Sequence, residues 1–503
     1  MMIALIAVIF LHDRLNDFSY VEPGVLLRGG VESLITLAVI TFLSMFRLHR
    51  TVRVLDRTGD LRALAAADRV LGMAPILIVA VHCWNILGMH WLDAVRALLG
   101  DMIFIDEAVA TLPPLIAITL IWYAYYPIDR RVRQALLIRH LDQARPIPPS
   151  LTRWQYISLQ IRHQFLFMLL PLGLILFWSE LVNRWIFTDM QEAYRGALQV
   201  VGVVAIFFFA PLLIRFAWDT IPLPDGLLRR RLINMCKMHN AKAREILVWR
   251  THGGMINGAV MGVIGLLRYI LLTDGLIESL NERHIEAVMA HELGHIRRRH
   301  MPTLVALLMV CVSAAAYVLT YVAQVIWWLK FYWLVPPSIS EQVTMDRLDL
   351  FITGGSLVVG LLIFGYISRR FERQADTFAV QHLSMSPPRI PPDGLLDSGT
   401  DPLAEGKLPD IRNCVITREA VMSMAGALEA VAVLNHIPPA RKSWRHGSIR
   451  WRQHYLLTLI GKPCNRLRID RIILIYQLIA VIGVILIGAA VVMDLFQQGS
   501  TLY

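Results

Sequence analysis

His291 and His295 stand four positions apart in the run His291-Glu292-Leu293-Gly294-His295. On a helix that spacing is about one turn, so both imidazoles can reach one metal ion from the same face. Glu292 lies beside them, where a carboxylate can take a proton from a water attacking a polarised carbonyl. The chemistry implied is metal-assisted hydrolysis, although a His-rich helix can contain the pattern by chance. A zinc site that does chemistry needs a third protein ligand and an open fourth position. Glu372 is the candidate, in Ser368-Arg369-Arg370-Phe371-Glu372-Arg373-Gln374-Ala375-Asp376. Asp376, one turn further, is placed to accept a hydrogen bond from a ligand histidine and fix its tautomer. A solvated charged face at a membrane edge accounts for the arginines of this segment. It does not account for the paired Glu and Asp.

The elements that must position these groups can be read around them. A helix is expected from Asn281, a good N-cap with Glu282 in its first turn, running on through Arg297, Arg298 and Arg299 into an apolar span. It carries His284, Val288, His291 and His295 on one side. Before it, Glu245 to Trp249 and Arg268 to Thr273 are short runs rich in Ile, Leu and Val. They are separated by the glycine-punctuated stretch from Gly253 to Gly265, which reads as strands and turns of a small sheet. Glu372 lies far along the chain from His295, and a hairpin of two apolar spans would return it to the same surface.

Composition supports that hairpin. The chain has 503 residues, 56% hydrophobic and 17% charged, against roughly 25% charged in an ordinary soluble domain. Apolar windows able to cross a hydrocarbon core of about 30 Å occur near 31–46, 75–92, 103–126, 165–186, 197–217, 302–328, 349–366 and 472–495. Met1 to Leu11 is apolar but short, lacks a basic flank and a cleavage site, and reads as a possible ninth span rather than a signal peptide. The net charge of +11 is concentrated in alternate connections: Arg47 to Arg69 after the first span, Arg130 to Arg162 after the third. By the positive-inside rule these loops, and the long polar regions 218–301 and 367–471, are cytoplasmic. Topology therefore accounts for the charge, and a nucleic-acid partner is not needed. The five cysteines have neither CxxC spacing nor an even count; they fit a reducing compartment and look structural.

The expected organisation is an N-terminal membrane region, 1–217, and a first part of a catalytic domain, 218–301. A transmembrane hairpin, 302–366, is followed by the domain's second part, 367–471, and a C-terminal span, 472–503. His82, Asn85, Glu180, Asn183 and Arg184 are polar residues within or near spans, which are functional candidates by default. Snorkelling at span ends is the plainer account. Residues 384–410, rich in Pro, Gly and Asp, read as a mobile loop.

Four blocks then give a specific resemblance: Asn257-Gly258-Ala259 with Gly262, Arg268 to Asp274, Ile285 to His295, and Ser368 to Asp376. The sequence resembles the integral membrane zinc metallopeptidases that include the HtpX protease and the CAAX prenyl endopeptidase, over about 222–382. The resemblance implies a mainly α, polytopic helical membrane protein with a cytoplasmic gluzincin-like protease domain containing a small β-sheet. It implies one zinc ion per chain on His291, His295 and Glu372, Glu292 as general base, and Asp376 behind the ligands. An exposed strand at Asn257, Gly258 and Ala259 would bind substrate as an added strand. A weaker echo at Trp444 to Ser448 suggests His446 as the donor to the oxyanion, with His436 and His454 nearby. The N-terminal region has more spans than a minimal HtpX-like enzyme.

The expected partners are a protein or peptide substrate and the lipid bilayer, the expected place a bacterial inner membrane with the site on the cytoplasmic side. Oligomeric state is left open. A transporter would show inverted repeats or broken midplane helices, and no repeat is evident. A scaffold with structural zinc would close the site with a fourth protein ligand.

Overall fold

The computed structural model describes residues 22–59, 61–100, 102–142, 151–183, 192–328, 341–386, 414–435, 437–465 and 467–500. Met1 to Leu11, Arg184, His436 and nearly all of the proline-rich segment lie outside them. The chain divides into two compact units, Met1–Asp219 and Thr220–Tyr503.

The first unit is helical: α1 (Pro23–Thr58), α2 (Leu61–Gly88), α3 (Trp91–Leu99), α4 (Ile105–Asp142), α5 (Arg153–Gln160), α6 (Phe167–Leu181) and α7 (Glu192–Ala217). Its core, from Leu37 and Leu48 through Ile78 and Ile86 to Ile118, Trp122 and Ile128, joins α1, α2 and α4. Several buried polar groups here are answered locally. Arg96 meets Asp106 at 2.6 Å and Glu107 at 2.8 Å. His82 Nε2 and Trp91 Nε1 each lie 2.9 Å from the Ala110 carbonyl oxygen. Asn85 donates to the Ser33 carbonyl, and Glu180 accepts from the Phe104 backbone N–H.

The second unit begins with β1 (Thr220–Pro222), α8 (Leu227–Met238), β2 (Glu245–Trp249), β3 (Gly258–Met261) and β4 (Tyr269–Thr273). The sheet order is β1-β2-β4-β3. β2 runs parallel to β4, while β1 and β3 are antiparallel to their neighbours. β4 is buried along its whole length, as a central strand of Ile and Leu should be. β3 is the edge, in register Gly258 to Leu272 and Ala259 to Leu271.

After α9 (Asp274–Ser279) comes α10 (Glu282–Arg297), whose N-cap Asn281 accepts from the His284 N–H as expected. α10 does not run straight into the span. It ends at Arg297, and α11 (His300–Trp328) begins after Arg299, held at φ 54°. That left-handed turn costs a non-glycine residue about 1–2 kcal/mol, and it changes the chain's direction within three residues. α12 (Glu341–Met385) pairs with α11 as the expected hairpin, and α15 (Arg468–Ser500) packs beside both. Between them lie α13 (Arg418–Leu434), capped by Thr417, and α14 (Ile449–Leu457), capped by Ser448.

Among the described residues, seven helices are long and apolar enough to cross a membrane, four in the first unit and three in the second. The window expected at 165–186 falls in a helix pair, Arg153–Leu166 and Leu169–Leu181, bent by 44°, which makes an eighth span if the pair crosses as one. The chain is an integral membrane protein, mainly α, with one small mixed sheet.

Candidate metal centre

α10 can lie close against α12 because of Gly294. A Cβ there would stand 3.1 Å from the Ala375 Cα and 3.2 Å from the Phe378 Cβ. This contact sets Glu372 and Asp376 of α12 against His291 and His295 of α10. The hairpin thus brings the distant carboxylates back to the histidines. His291, His295 and Glu372 each offer a ligand atom within 4.8 Å of the others. His291 Nε2 and His295 Nε2 are 3.2 Å apart. The Glu372 oxygens lie 3.6 Å from the first and 3.7 Å from the second.

These distances test whether a metal fits. Two ligands about 2.0–2.1 Å from a tetrahedral zinc ion lie about 3.4 Å apart. The carboxylate is too far from the imidazoles for a hydrogen bond, whose usual reach is about 2.7–3.2 Å, yet at the spacing of co-ligands. The tautomers agree. Gln374 Nε2 donates to Asp470, a carboxylate that can only accept, so Gln374 Oε1 faces His300 Nε2 at 2.8 Å and receives its proton. His300 Nδ1 is then the acceptor for His295 Nδ1–H at 2.9 Å. His295 Nε2 is left with its lone pair. His291 Nδ1 lies 3.0 Å from Asp376 Oδ1, which directs its Nε2 lone pair the same way. Two lone pairs facing each other call for a cation between them.

Charge points to the same conclusion. Glu292, Glu372 and Asp376 are three carboxylates against one buried guanidinium, Arg452. A divalent ion held by the two imidazoles and Glu372 would offset this excess of carboxylates. Burial opposes a charge on His291, but Asp376 and Glu372 pull its proton affinity up to about 10 where no ion is bound, and a bound ion would displace that proton. Burial holds His295 well below the ordinary imidazole range, in the neutral form a ligand needs. Glu292 is pushed upward, mainly by burial and partly by Glu372, with His291, His446 and Arg452 opposing. That shift moves a carboxylate toward the range of a general base.

Sequence reasoning missed two groups. Arg452 grips Asp376 in a fork, Nε to Oδ2 at 2.8 Å and Nη2 to Oδ1 at 2.5 Å, with Nη1 3.4 Å from Glu372 Oε2. It is one arginine of a long basic segment, and nothing in that segment marks it. His300 was passed over as the flank of a span. Its position five residues after His295 was the available signal, but only the left-handed turn at Arg299 folds its ring back.

Of the late histidines, His446 reaches the centre, its Nδ1 3.0 Å from Glu372 Oε1, with a half-exposed side chain. His454 is exposed on α14. Asn257 is exposed and its N–H donates to Thr273 Oγ1. Gly258 lies over α10, where a Cβ would stand 2.9 Å from Val288 Cγ1 and 3.5 Å from Glu292 Cγ. Ala259 follows on the edge strand, whose outer side has no partner strand among the described residues. A cleft of about 480 Å³ opens beside His295, lined by Val260, Lys242, Arg268, Arg299 and Met301 among others.

Residues 224–388 match peptidase family M48. The match contains His291, Glu292, His295, Glu372 and Asp376 and stops short of His446 and Arg452. Among solved structures, the crystal structure of Ste24p from S. mikatae is similar, with 14% identity and a TM-score of 0.45, covering 86% of this chain and 98% of that one. A search of curated proteins finds no match.

Proposed function

We propose that this membrane metallopeptidase is a zinc-dependent endopeptidase that cleaves membrane-associated proteins or peptides at the cytoplasmic face of a bacterial inner membrane. One observation carries the reading: two imidazole lone pairs and a carboxylate converge at the spacing of zinc ligands on a helix that also carries Glu292. His291, His295 and Glu372 would hold the ion. When bound, zinc supplies Lewis acidity toward the scissile carbonyl and the attacking water. Glu292 takes the proton of that water and returns it to the leaving amine. Asp376, itself held by Arg452, and His300 keep the two ligand imidazoles in the tautomer that leaves Nε2 free. His446 donates toward the developing oxyanion. The open edge of β3, at Asn257, Gly258 and Ala259, receives an extended substrate backbone above Glu292.

The three-ligand set favours an open, catalytic site over a closed structural one, for which a fourth protein ligand would be expected. The cytoplasmic placement is supported by the arginine-rich connections, and the substrate class by catalytic residues that flank the start of one span and the end of another. The reading is tested with Glu292→Gln in detergent-purified protein. Zinc content should stay at one per chain while peptide cleavage falls by about 10²–10⁴-fold or more. Retained cleavage would remove Glu292 as the base. Comparative proteomics of membranes from cells carrying either form would then identify substrates as the proteins that accumulate.

A further inference from the structure

Cys414 and Cys464 are fifty positions apart in sequence, and their sulfurs are 3.0 Å apart. Both are free thiols. The backbone holds them there. Val415 and Pro463 form an antiparallel bridge. Cys464 N–H donates to the Cys414 carbonyl at 2.9 Å, and Ile416 N–H donates to the Lys462 carbonyl at 2.9 Å. Cys414 and Cys464 are therefore opposite residues of a two-stranded ladder. Such pairs have Cα separations of about 4.5–5.5 Å, within the range of about 4.4–6.8 Å that a disulfide spans without backbone movement. The other three cysteines, Cys83, Cys236 and Cys311, have no thiol neighbour of this kind among the described residues.

We propose that Cys414 and Cys464 are a reversible disulfide site whose closure staples the lobe that brings His446 and Arg452 to the metal centre. The lobe is the chain between the two cysteines, residues 415–463, with α13 and α14 inside it. Its base is already tied to the helix of the carboxylates, because Gln381 of α12 donates to the Cys464 carbonyl at 2.6 Å. A covalent link at that base reduces the freedom of the lobe in every less ordered state.

The chemistry needs an oxidant, and a low-molecular-weight disulfide suffices. Cys414 is the half-buried member and Cys464 is 1% exposed. Cys414, as thiolate, attacks one sulfur of the small disulfide and displaces one thiol. Cys464 then loses its proton and displaces the second thiol from the Cys414 sulfur. Two protein thiols are oxidised to a disulfide, and one small disulfide is reduced to two thiols. Burial pushes the Cys464 thiol up to about 12, so it does not attack first, and its 3.0 Å approach to the Cys414 sulfur is what enables the second, intramolecular step. In a reducing cytoplasm the pair stays open, and oxidising conditions close it.

The test uses full-length protein in detergent, treated with oxidised glutathione, denatured and titrated for thiols. Two of the five thiols should be lost, one linked peptide pair containing Cys414 and Cys464 should appear by mass spectrometry, and dithiothreitol should restore all five. The thermal unfolding midpoint of the oxidised protein should rise by several degrees and fall back on reduction, a shift that Cys464→Ser and Cys414→Ser should both abolish. Five surviving thiols, a stable glutathione adduct at Cys414, or linkage to any other cysteine would overturn the site. A link that forms without moving the midpoint would overturn the stapling.

Discussion

Arg96 in the first unit and Arg452 in the second both face buried carboxylates, and they leave different remainders. Arg96 takes Asp106 through Nε and Glu107 through Nη2, so each carboxylate has the guanidinium as its partner. Arg452 spends Nε and Nη2 on Asp376 and stands 3.4 Å from Glu372. The Glu372 oxygens face three imidazoles instead. In the first unit Asp106 and Glu107 share one guanidinium, and His82 Nε2 and Trp91 Nε1 face the Ala110 carbonyl. In the second, two imidazole nitrogens and a carboxylate converge at the spacing of metal ligands. Buried polarity therefore does not mark a site in this molecule. Convergent ligand atoms do.

The largest expected contrast comes from removing one carboxylate on each side. Glu372→Ala should abolish stoichiometric zinc and reduce cleavage by more than the roughly 10–100-fold that loss of an outer partner of a ligand costs. Glu107→Gln should leave zinc content and turnover within about twofold, since the partners described for it, Arg96, Asp106 and Glu180, are not residues of the metal centre. Metal analysis and cleavage of the same two preparations decide the matter. A folded Glu107→Gln protein without activity would break the comparison and give the first unit a direct part in function.

The arginines sharpen it next. Removing one partner of a buried ion pair leaves the other charge uncompensated, at a cost of about 3–5 kcal/mol. Arg96→Met and Arg452→Met should both lower stability by about that much, seen in denaturant unfolding of the detergent-solubilised protein. Only Arg452→Met should also weaken zinc, by roughly 10–100-fold in chelator competition, because Asp376 then loses the fork that holds it beside His291. Equal zinc affinities in the two variants would mean that Asp376 needs no such support.

How much of this could be read beforehand follows from which constraints are local. The His291–His295 spacing, the Asn281 cap and the Ile- and Leu-rich strand at 269–273 are short-range patterns, and all appear as expected. The hairpin was legible because a span reports its own length. Arg452 was not, because its role is set by a contact with Asp376 across 76 positions, and a single arginine among many basic residues carries no periodic signal. His300 was hidden by a positive φ at Arg299 that no glycine announces. The Cys414–Cys464 pair was hidden in the same way: with neither CxxC spacing nor an even count the cysteines look structural, and only the Val415–Pro463 bridge aligns these two.

A second histidine relay in the same unit shows where the contrast ends. His382 Nε2 lies 3.1 Å from Glu286 Oε1 and His382 Nδ1 lies 2.9 Å from His239 Nε2, the same donor-to-acceptor logic as His300 and His295. Arg283 completes it at 3.0 Å from Glu286, so charge is closed here and no ion is called for. Burial, with His382 and Arg297 adding to it, lowers the His239 pKa to about 3. The unfolded imidazole takes its proton near 6.5, the buried one only near 3. The unfolded chain therefore binds more protons through that window, and stability is lost as pH falls from about 6.5 toward 3, at up to about 1.4 kcal/mol per unit. His239→Phe, which keeps a ring against Phe378, should remove that slope. Between pH 7 and pH 5 the wild-type protein should lose about 2 kcal/mol more than the variant in denaturant unfolding. A difference that does not change with pH, or one of opposite sign, would show that His239 is not held neutral. The relay would then be a second charged cluster in the same unit, a protonated imidazole against Glu286.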